Sequence, residues 1–125
     1  MSTIQLQIPY IEKKTISELL KEIGMKPRLS GFEYIKEAIT MCYADASYMR
    51  SITKQMYPEI AKTFNTTPSR VERAMRHAIE SAWSLGNCYK QNEIFSFTIG
   101  HDKAKPTNGE FIACVVEYLH YNLDK

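Results

Sequence analysis

Residues 57–79 read YPEIAKTFNTTPSRVERAMRHAI, and this stretch predicts two helices joined by a short turn. Proline is accepted in the first turn of a helix but not in its interior, so Pro58 is expected to open a short helix that runs to Phe64. Thr67 followed by Pro68 is a typical N-cap and first residue of a second helix. The polar residues 65–67 form the turn between them. The pattern is that of a helix-turn-helix.

The second of these helices has the most regular apolar pattern in the chain. Apolar residues recur at three- and four-residue spacing along one face, and Gly86 marks the expected end. In the first helix, Ile60, Ala61 and Phe64 are expected to face this stripe. The stripe consists of Val71, Ala74, Met75, Ala78, Ile79, Ala82 and Trp83.

Other helices are predicted on both sides of this motif. The Ser/Thr-x-x-Glu form of a capping box begins at Thr15, Ser30 and Thr107, each time before apolar residues. A structureless loop over residues 87–106 would be unusual, so Phe95, Phe97 and Ile99 are expected to pack as a short helix or an irregular cover. The fold class is all-α, a compact bundle of about six helices containing a helix-turn-helix. The other expected helices are 15–23, 30–46, 48–56 and one from 107 onward. The residues expected to face inward on this last helix are Phe111, Ile112, Val115, Val116 and Leu119.

Length and composition indicate one globular domain, since the chain has 125 residues of which 44% are hydrophobic. Residues 1–14 are expected to be an N-terminal extension or linker remnant, and residues 15–125 the helix-turn-helix domain. No apolar run reaches the roughly 18 to 20 residues of a membrane span, and no secretory signal is visible. A cytoplasmic protein without a membrane partner is expected.

The net charge of +2 is unevenly distributed along the chain. Residues 50–77 hold six Lys or Arg and two Glu, so this segment carries +4 and the remainder −2. Such a concentration of positive charge in one segment is typical of a nucleic-acid-binding surface.

The polar face of the second helix suggests how DNA would be read. Arginine can donate two parallel hydrogen bonds to guanine, and glutamate can accept from the cytosine N4 amine, so Arg70, Glu72 and Arg73 are the predicted base readers. Duplex DNA is the predicted partner, and a solvated helix face is the alternative. The predicted contacts to the DNA backbone are Thr66, Thr67 and Ser69 at the helix start, Arg76 and His77 further along, and Lys103 and Lys105 in the flanking segment.

The residues also resemble a known family, the C-terminal effector domains of the master response regulator of endospore formation in Firmicutes. The resemblance covers residues 15–119 and crosses turns and loops as well as helices. It is carried by SITK at 51–54, YPEIAK at 57–62, FNTT at 64–67, SRVERA at 69–74, RHAI at 76–79, AW at 82–83, GN at 86–87, KAKPTN at 103–108 and EFIA at 110–113.

This resemblance implies a six-helix effector fold that binds a short promoter box, often as two copies in tandem, with RNA polymerase as a further partner. In the family, residues matching Arg70, Glu72 and Arg73 face the bases. Those matching Thr66, Ser69, His77 and Lys105 lie near the backbone. Full-length members also carry a phosphorylated receiver domain, which a chain of 125 residues cannot hold in addition. The sequence differs from the family over residues 89–102.

Other functions have less support in the sequence. The three histidines and three cysteines show no metal-ligand spacing, and His120 is expected to be an exposed residue at a helix end. The sequence shows neither a nucleophile with a positioned base nor a pair of carboxylates, so it does not indicate an enzyme. No cofactor is expected. The alternative that stays open is a helical protein-interaction module that modulates a transcription factor without binding DNA. Its surface would use Tyr10, Tyr48, Tyr89 and Tyr121.

Overall fold

A computed structural model describes residues 10–85, 88–95 and 105–123. In these ranges the protein is entirely helical or irregular, which confirms the all-α bundle predicted from the sequence. A 3₁₀ turn at Ala46–Arg50 and a π-helical turn at Ile52–Met56 lie between the second and third helices. The α-helices are α1 (Lys13–Ile23), α2 (Ser30–Ala44), α3 (Tyr57–Thr63), α4 (Pro68–Leu85), α5 (Cys88–Phe95) and α6 (Asn108–Leu123).

The start of α1 differs from the expected capping box at Thr15. The helix begins two residues earlier, at Lys13, after the extended residue Glu12. Ile11 is buried, so the chain is already attached to the core before the predicted box. The end is as predicted: Gly24 adopts the left-handed conformation that glycine accepts without a Cβ penalty, and its N–H bonds to the carbonyl of Lys21.

The second capping box also differs from the prediction, because Ser30 is the first residue of α2 and no side chain caps that end. The helix stops at Ala44, before the expected Ala46, because the Asp45 side chain accepts a hydrogen bond from the Ser47 N–H and starts a new turn.

The segment 48–56 is not the single α-helix that the sequence predicted. Ser51 interrupts it with a backbone outside the helical region, at φ −137° and ψ 45°. The following π-helical turn is closed by a hydrogen bond from the Met56 N–H to the Ser51 carbonyl, and Met56 is fully buried. The connection therefore forms a π-helical turn and not a regular α-helix, because this geometry places Met56 in the core.

Helix α2 lies at the centre and packs against α1, α4 and α6. Its contact with α4 is unusually close at Gly31, where a Cβ atom would lie 2.1 Å from the Ala74 carbonyl oxygen. Only glycine fits between the two backbones at this point. The position of α4 is thereby fixed by backbone contact as well as by side-chain packing.

The helix-turn-helix forms from α3 and α4, as predicted. Ile60 and Ala61 of α3 and Val71 and Met75 of α4 are buried. Phe64 was expected to face inward, but it is 37% exposed and packs edge-on against Tyr34 at 5.2 Å between ring centroids. The reason is its position as the C-cap of α3, where the chain leaves the helix and turns.

Helices α5 and α6 complete the core behind α4. Gln91 of α5 is buried, and its Nε2 donates to the carbonyls of Ile23 and Ala82 at 3.0 Å each. Phe95 packs against the rings of both Trp83 and Phe111 and is buried, which confirms that this phenylalanine belongs to the core. Gly86, Phe97 and Ile99 lie outside the described residues. Within the described ranges, no helix has the length and apolar character needed to span a membrane.

The capping box at Thr107 is confirmed. Thr107 Oγ1 accepts from the Glu110 N–H at 3.1 Å, and the Glu110 carboxylate accepts from the Thr107 N–H at 2.9 Å. The two bonds satisfy donors that the first turn of α6 would otherwise leave unpaired. The predicted inward residues of α6, Phe111, Ile112, Val115, Val116 and Leu119, are all buried.

Candidate nucleic-acid interface

The turn of the helix-turn-helix is closed by its own backbone. Asn65 has a positive φ of 56°, which asparagine tolerates better than most residues. The Thr66 N–H donates to the Ala61 carbonyl at 2.8 Å, and the Asn65 N–H donates to the Lys62 carbonyl at 3.4 Å. This pair of bonds is a Schellman motif, and it fixes the direction in which the chain enters α4.

The beginning of α4 is capped as predicted. Thr67 Oγ1 accepts from the Arg70 N–H at 3.2 Å, and the Thr67 carbonyl accepts from the Val71 N–H at 3.0 Å. Pro68 has no N–H, so Ser69 holds the one backbone donor of this first turn without an acceptor among the described residues. Thr67, Ser69 and Arg70 are exposed, and the cap leaves the Thr67 hydroxyl proton free to donate.

Two arginines project from the exposed face of α4. Arg70 and Arg73 lie on the side of the helix opposite its buried residues, and neither forms an ion pair with another residue in the described part of the chain. His77 is exposed one turn further along. These two guanidinium groups are therefore accessible to a ligand that approaches the N-terminal half of α4.

Glu72 and Arg76 are in a different state, because they pair with each other. Arg76 Nη1 donates to the Glu72 carboxylate, with the two side chains 50% and 34% exposed. Their four-residue spacing places them one above the other on the helix surface. The predicted base reader Glu72 and the predicted backbone contact Arg76 thus neutralise each other's charge.

A surface pocket of about 520 Å³ lies beside this ion pair. Lys105 lies at its edge and pairs with Glu80 at 3.7 Å between Nζ and the carboxylate. Lys103 lies outside the described residues. The pocket is lined by Tyr57, Glu72, Arg76, Lys105, Pro106, Thr107, Asn108 and Gly109.

Sequence reasoning missed the contribution of Asn108 to this region. Asn108 is 8% exposed, and its Nδ2 donates to Tyr57 Oη and to the Glu72 carbonyl, at 3.1 Å in each case. Burial raises the pKa of the Tyr57 phenol, so this hydroxyl is neutral at physiological pH. The partners lie 51 and 36 residues away in sequence, and no local pattern marks such a contact.

A family model described as "Sporulation initiation factor Spo0A C terminal" matches residues 16–119. The chain belongs to this family. The match extends from the first turns of α1 to Leu119 in α6, so it includes the helix-turn-helix and the residues around it. The Spo0A C-terminal family consists of DNA-binding domains of transcription factors and is not an enzyme family. The resemblance identified from the sequence is confirmed.

The tyrosines named for a protein-interaction surface are not equivalent. Tyr10, Tyr89 and Tyr121 are exposed. Tyr48 is half-buried, contrary to expectation, and its hydroxyl donates to the Glu59 carboxylate at 2.8 Å, which attaches the 3₁₀ turn to α3. His120 is likewise not the exposed residue expected: its ring stacks on Tyr43 at 4.0 Å between centroids.

Proposed function

We propose that this member of the Spo0A C-terminal family is a sequence-specific DNA-binding transcription regulator that inserts α4 into the major groove of a short promoter box. The observation that carries the proposal is the exposed pair Arg70 and Arg73 near the N-terminal end of α4. Neither arginine has an ion-pair partner among the described residues. A recognition helix contacts base edges with the residues of its first turns. These arginines occupy those turns.

Arg70 and Arg73 are assigned to guanine, where each can donate to O6 and N7. Glu72 is assigned to the cytosine N4 amine, and its ion pair with Arg76 does not prevent this. A partly exposed pair of this kind contributes only about 0.2 to 1 kcal/mol, whereas a bidentate base contact contributes about 1 to 3 kcal/mol. DNA can therefore separate the pair, so that Glu72 turns to a base and Arg76 to a phosphate.

The DNA backbone is assigned to residues around the start of α4. The Ser69 N–H and the Thr67 hydroxyl are donors at the positive end of the helix dipole, where a phosphate is favoured. Thr66 lies just before this helix end and His77 lies further along α4, and both are assigned to the same set. Lys105, and with it Lys103, would contact phosphate from the flank after Lys105 leaves Glu80.

Two further partners follow from the family resemblance. A second copy bound in tandem on adjacent boxes, and RNA polymerase at the promoter, are proposed without assigning residues to either contact.

Selection of bound sequences from a random duplex pool tests the proposed function. Enrichment of one short box is expected, and recovery of unenriched sequence would reject sequence-specific binding. Gel shifts with two variants then test the roles. Arg73→Ala should remove the preference for the selected box, while Lys105→Ala should weaken binding to all duplexes about equally. Equal selectivity of the two variants would reject these assignments.

The exposed Tyr89 and Tyr121 favour one alternative, a module that binds a transcription factor and not DNA. Salt dependence distinguishes the two functions. Neutralisation of phosphates gives a log-log slope of about −0.9 per contact, whereas a protein partner gives a shallower response.

A further inference from the structure

Helix α4 is contacted by other helices on two of its sides within residues 72–74. The Glu72 carbonyl accepts from Asn108 Nδ2 of α6, and the Ala74 carbonyl lies against Gly31 of α2. Two residues of an α-helix correspond to a rotation of about 200° around its axis, so these two carbonyls lie on nearly opposite sides of α4. Helices α6 and α2 therefore hold the segment that carries Glu72 and Arg73 between them.

Asn108 also connects this segment to the other helix of the motif. The same Nδ2 that bonds to Glu72 bonds to Tyr57 Oη at the start of α3. A side-chain amide has two N–H donors, and both are used here. One buried side chain at the start of α6 thus joins α3 and α4 at a fixed separation.

We propose that Asn108 is a positioning residue for base recognition, which rests on the proposed function of α4. By holding the Glu72 backbone, Asn108 sets how deeply and at what angle the adjoining side chains reach into the groove. Bidentate contacts require placement to within a fraction of an ångström, whereas phosphate contacts tolerate small displacements. Loss of the Asn108 hydrogen bonds should therefore reduce discrimination between sequences more than it reduces affinity for DNA in general.

The structure also explains why such a loss need not unfold the domain. The Glu72 carbonyl is positioned to accept an ordinary helical hydrogen bond from the Arg76 N–H, so it keeps a partner without Asn108. The cap of α6 depends on Thr107 and Glu110 and not on the Asn108 side chain. Leucine has nearly the shape of asparagine and no charge, so Asn108→Leu removes both donors without altering the electrostatic attraction to phosphate.

The test compares dissociation constants for the selected box and for the same duplex with one base pair changed under Glu72 or Arg73. Discrimination is measured by the dissociation constant for the changed duplex divided by that for the selected box. This ratio does not depend on what fraction of a variant is folded, because unfolded protein raises both apparent constants by the same factor. We expect the ratio to fall about tenfold in Asn108→Leu, within the range of one bidentate contact. Affinity for an unrelated duplex should stay within about twofold. Asn108→Ala, which also removes the donors, should behave alike.

Thr107→Ala is the matched control, because it removes a cap bond to the Glu110 N–H within α6, whereas the Asn108 bonds reach α3 and α4. It should lower stability and leave the ratio unchanged. A ratio that is equal in wild type and Asn108→Leu, or that falls as much in Thr107→Ala, would overturn the positioning role while leaving the proposed function intact. A wild-type protein without discrimination would overturn the proposed function itself, and the positioning role with it.

Discussion

Replacement of Gly31 by alanine should destabilise the domain because the new methyl group meets backbone. A Cβ at this position would lie 2.1 Å from the Ala74 carbonyl oxygen, 2.7 Å from its carbon and 2.9 Å from the Ala78 Cβ. Real Cβ contacts essentially never fall below 3.0 Å, so α2 and α4 must separate by nearly 1 Å at their closest point. A carbonyl within a helix cannot rotate away as a side chain can.

The magnitude follows from two opposing effects. Overpacking a well-packed core costs about 1 to 3 kcal/mol, and the rigid backbone on one side places Gly31→Ala at the upper end. The higher helix propensity of alanine offsets up to about 1 kcal/mol, and less in the first turn of a helix. A net loss of about 2 kcal/mol in the free energy of unfolding is expected, with a decrease in Tm of about 8 °C for a domain of this size.

Gly109→Ala provides the matched control, since Gly31 and Gly109 are each the second residue of their helix. The nearest atom to a Cβ at Gly109 is Ile52 Cδ1 at 3.3 Å, the end of a side chain that can move. The free energy of unfolding of Gly109→Ala should fall by less than about 0.5 kcal/mol relative to wild type, or should increase. Urea denaturation followed by helical circular dichroism measures both variants. Equal stability of the two, or a Gly31→Ala protein as stable as wild type, would refute the close-packing argument.

Two further predictions concern a helix cap and a buried thiol. Thr67→Ala should lower the free energy of unfolding by about 1 kcal/mol because the Arg70 N–H loses its acceptor, whereas Thr66→Ala, whose hydroxyl makes no cap, should cost less. Urea midpoints that rank the two in reverse would contradict the role of the cap. Burial, with a smaller effect of the Asp45 carboxylate, raises the pKa of the Cys42 thiol to about 11. An unfolded thiol ionises near pH 8.5, so the unfolded state releases its proton first and stability should fall as pH rises from about 8.5 towards 11. Cys42→Ala should reduce this alkaline loss in urea titrations, and identical pH slopes would exclude Cys42 as its source.

The helix-turn-helix could be predicted from sequence because its signals are local. The spacing of Val71, Met75 and Ile79 fixes which face of α4 is buried, and therefore which face carries Arg70 and Arg73. The pairing of Glu72 with Arg76 is also a local feature, since residues four apart on a helix lie next to each other on its surface. Roles in DNA binding stay predictions for all of these residues.

Local signals failed where distant contacts compete with them. The Ser/Thr-x-x-Glu pattern predicted the cap at Thr107 correctly, but α1 begins two residues before Thr15, and Ser30 begins α2 as predicted without forming a side-chain cap. At α1, Ile11 is buried on the N-terminal side of Thr15, so the chain already packs against the core there and the helix begins before the predicted cap. The irregular turns around Ser51 likewise depend on placing Met56 in the core, which periodicity within nine residues does not reveal.

The sequence by itself determined the two helices of the motif, the cap that starts α4 and the face that α4 exposes, because each depends on residues no more than about four positions apart. The tertiary structure alone decided how that helix is held. Gly31 and Asn108 lie far from Glu72 and Ala74 along the chain and reach their backbone only after α2 and α6 have packed around α4. Such backbone contacts are set by the relative positions of whole helices, and the order of residues within any one helix does not specify them.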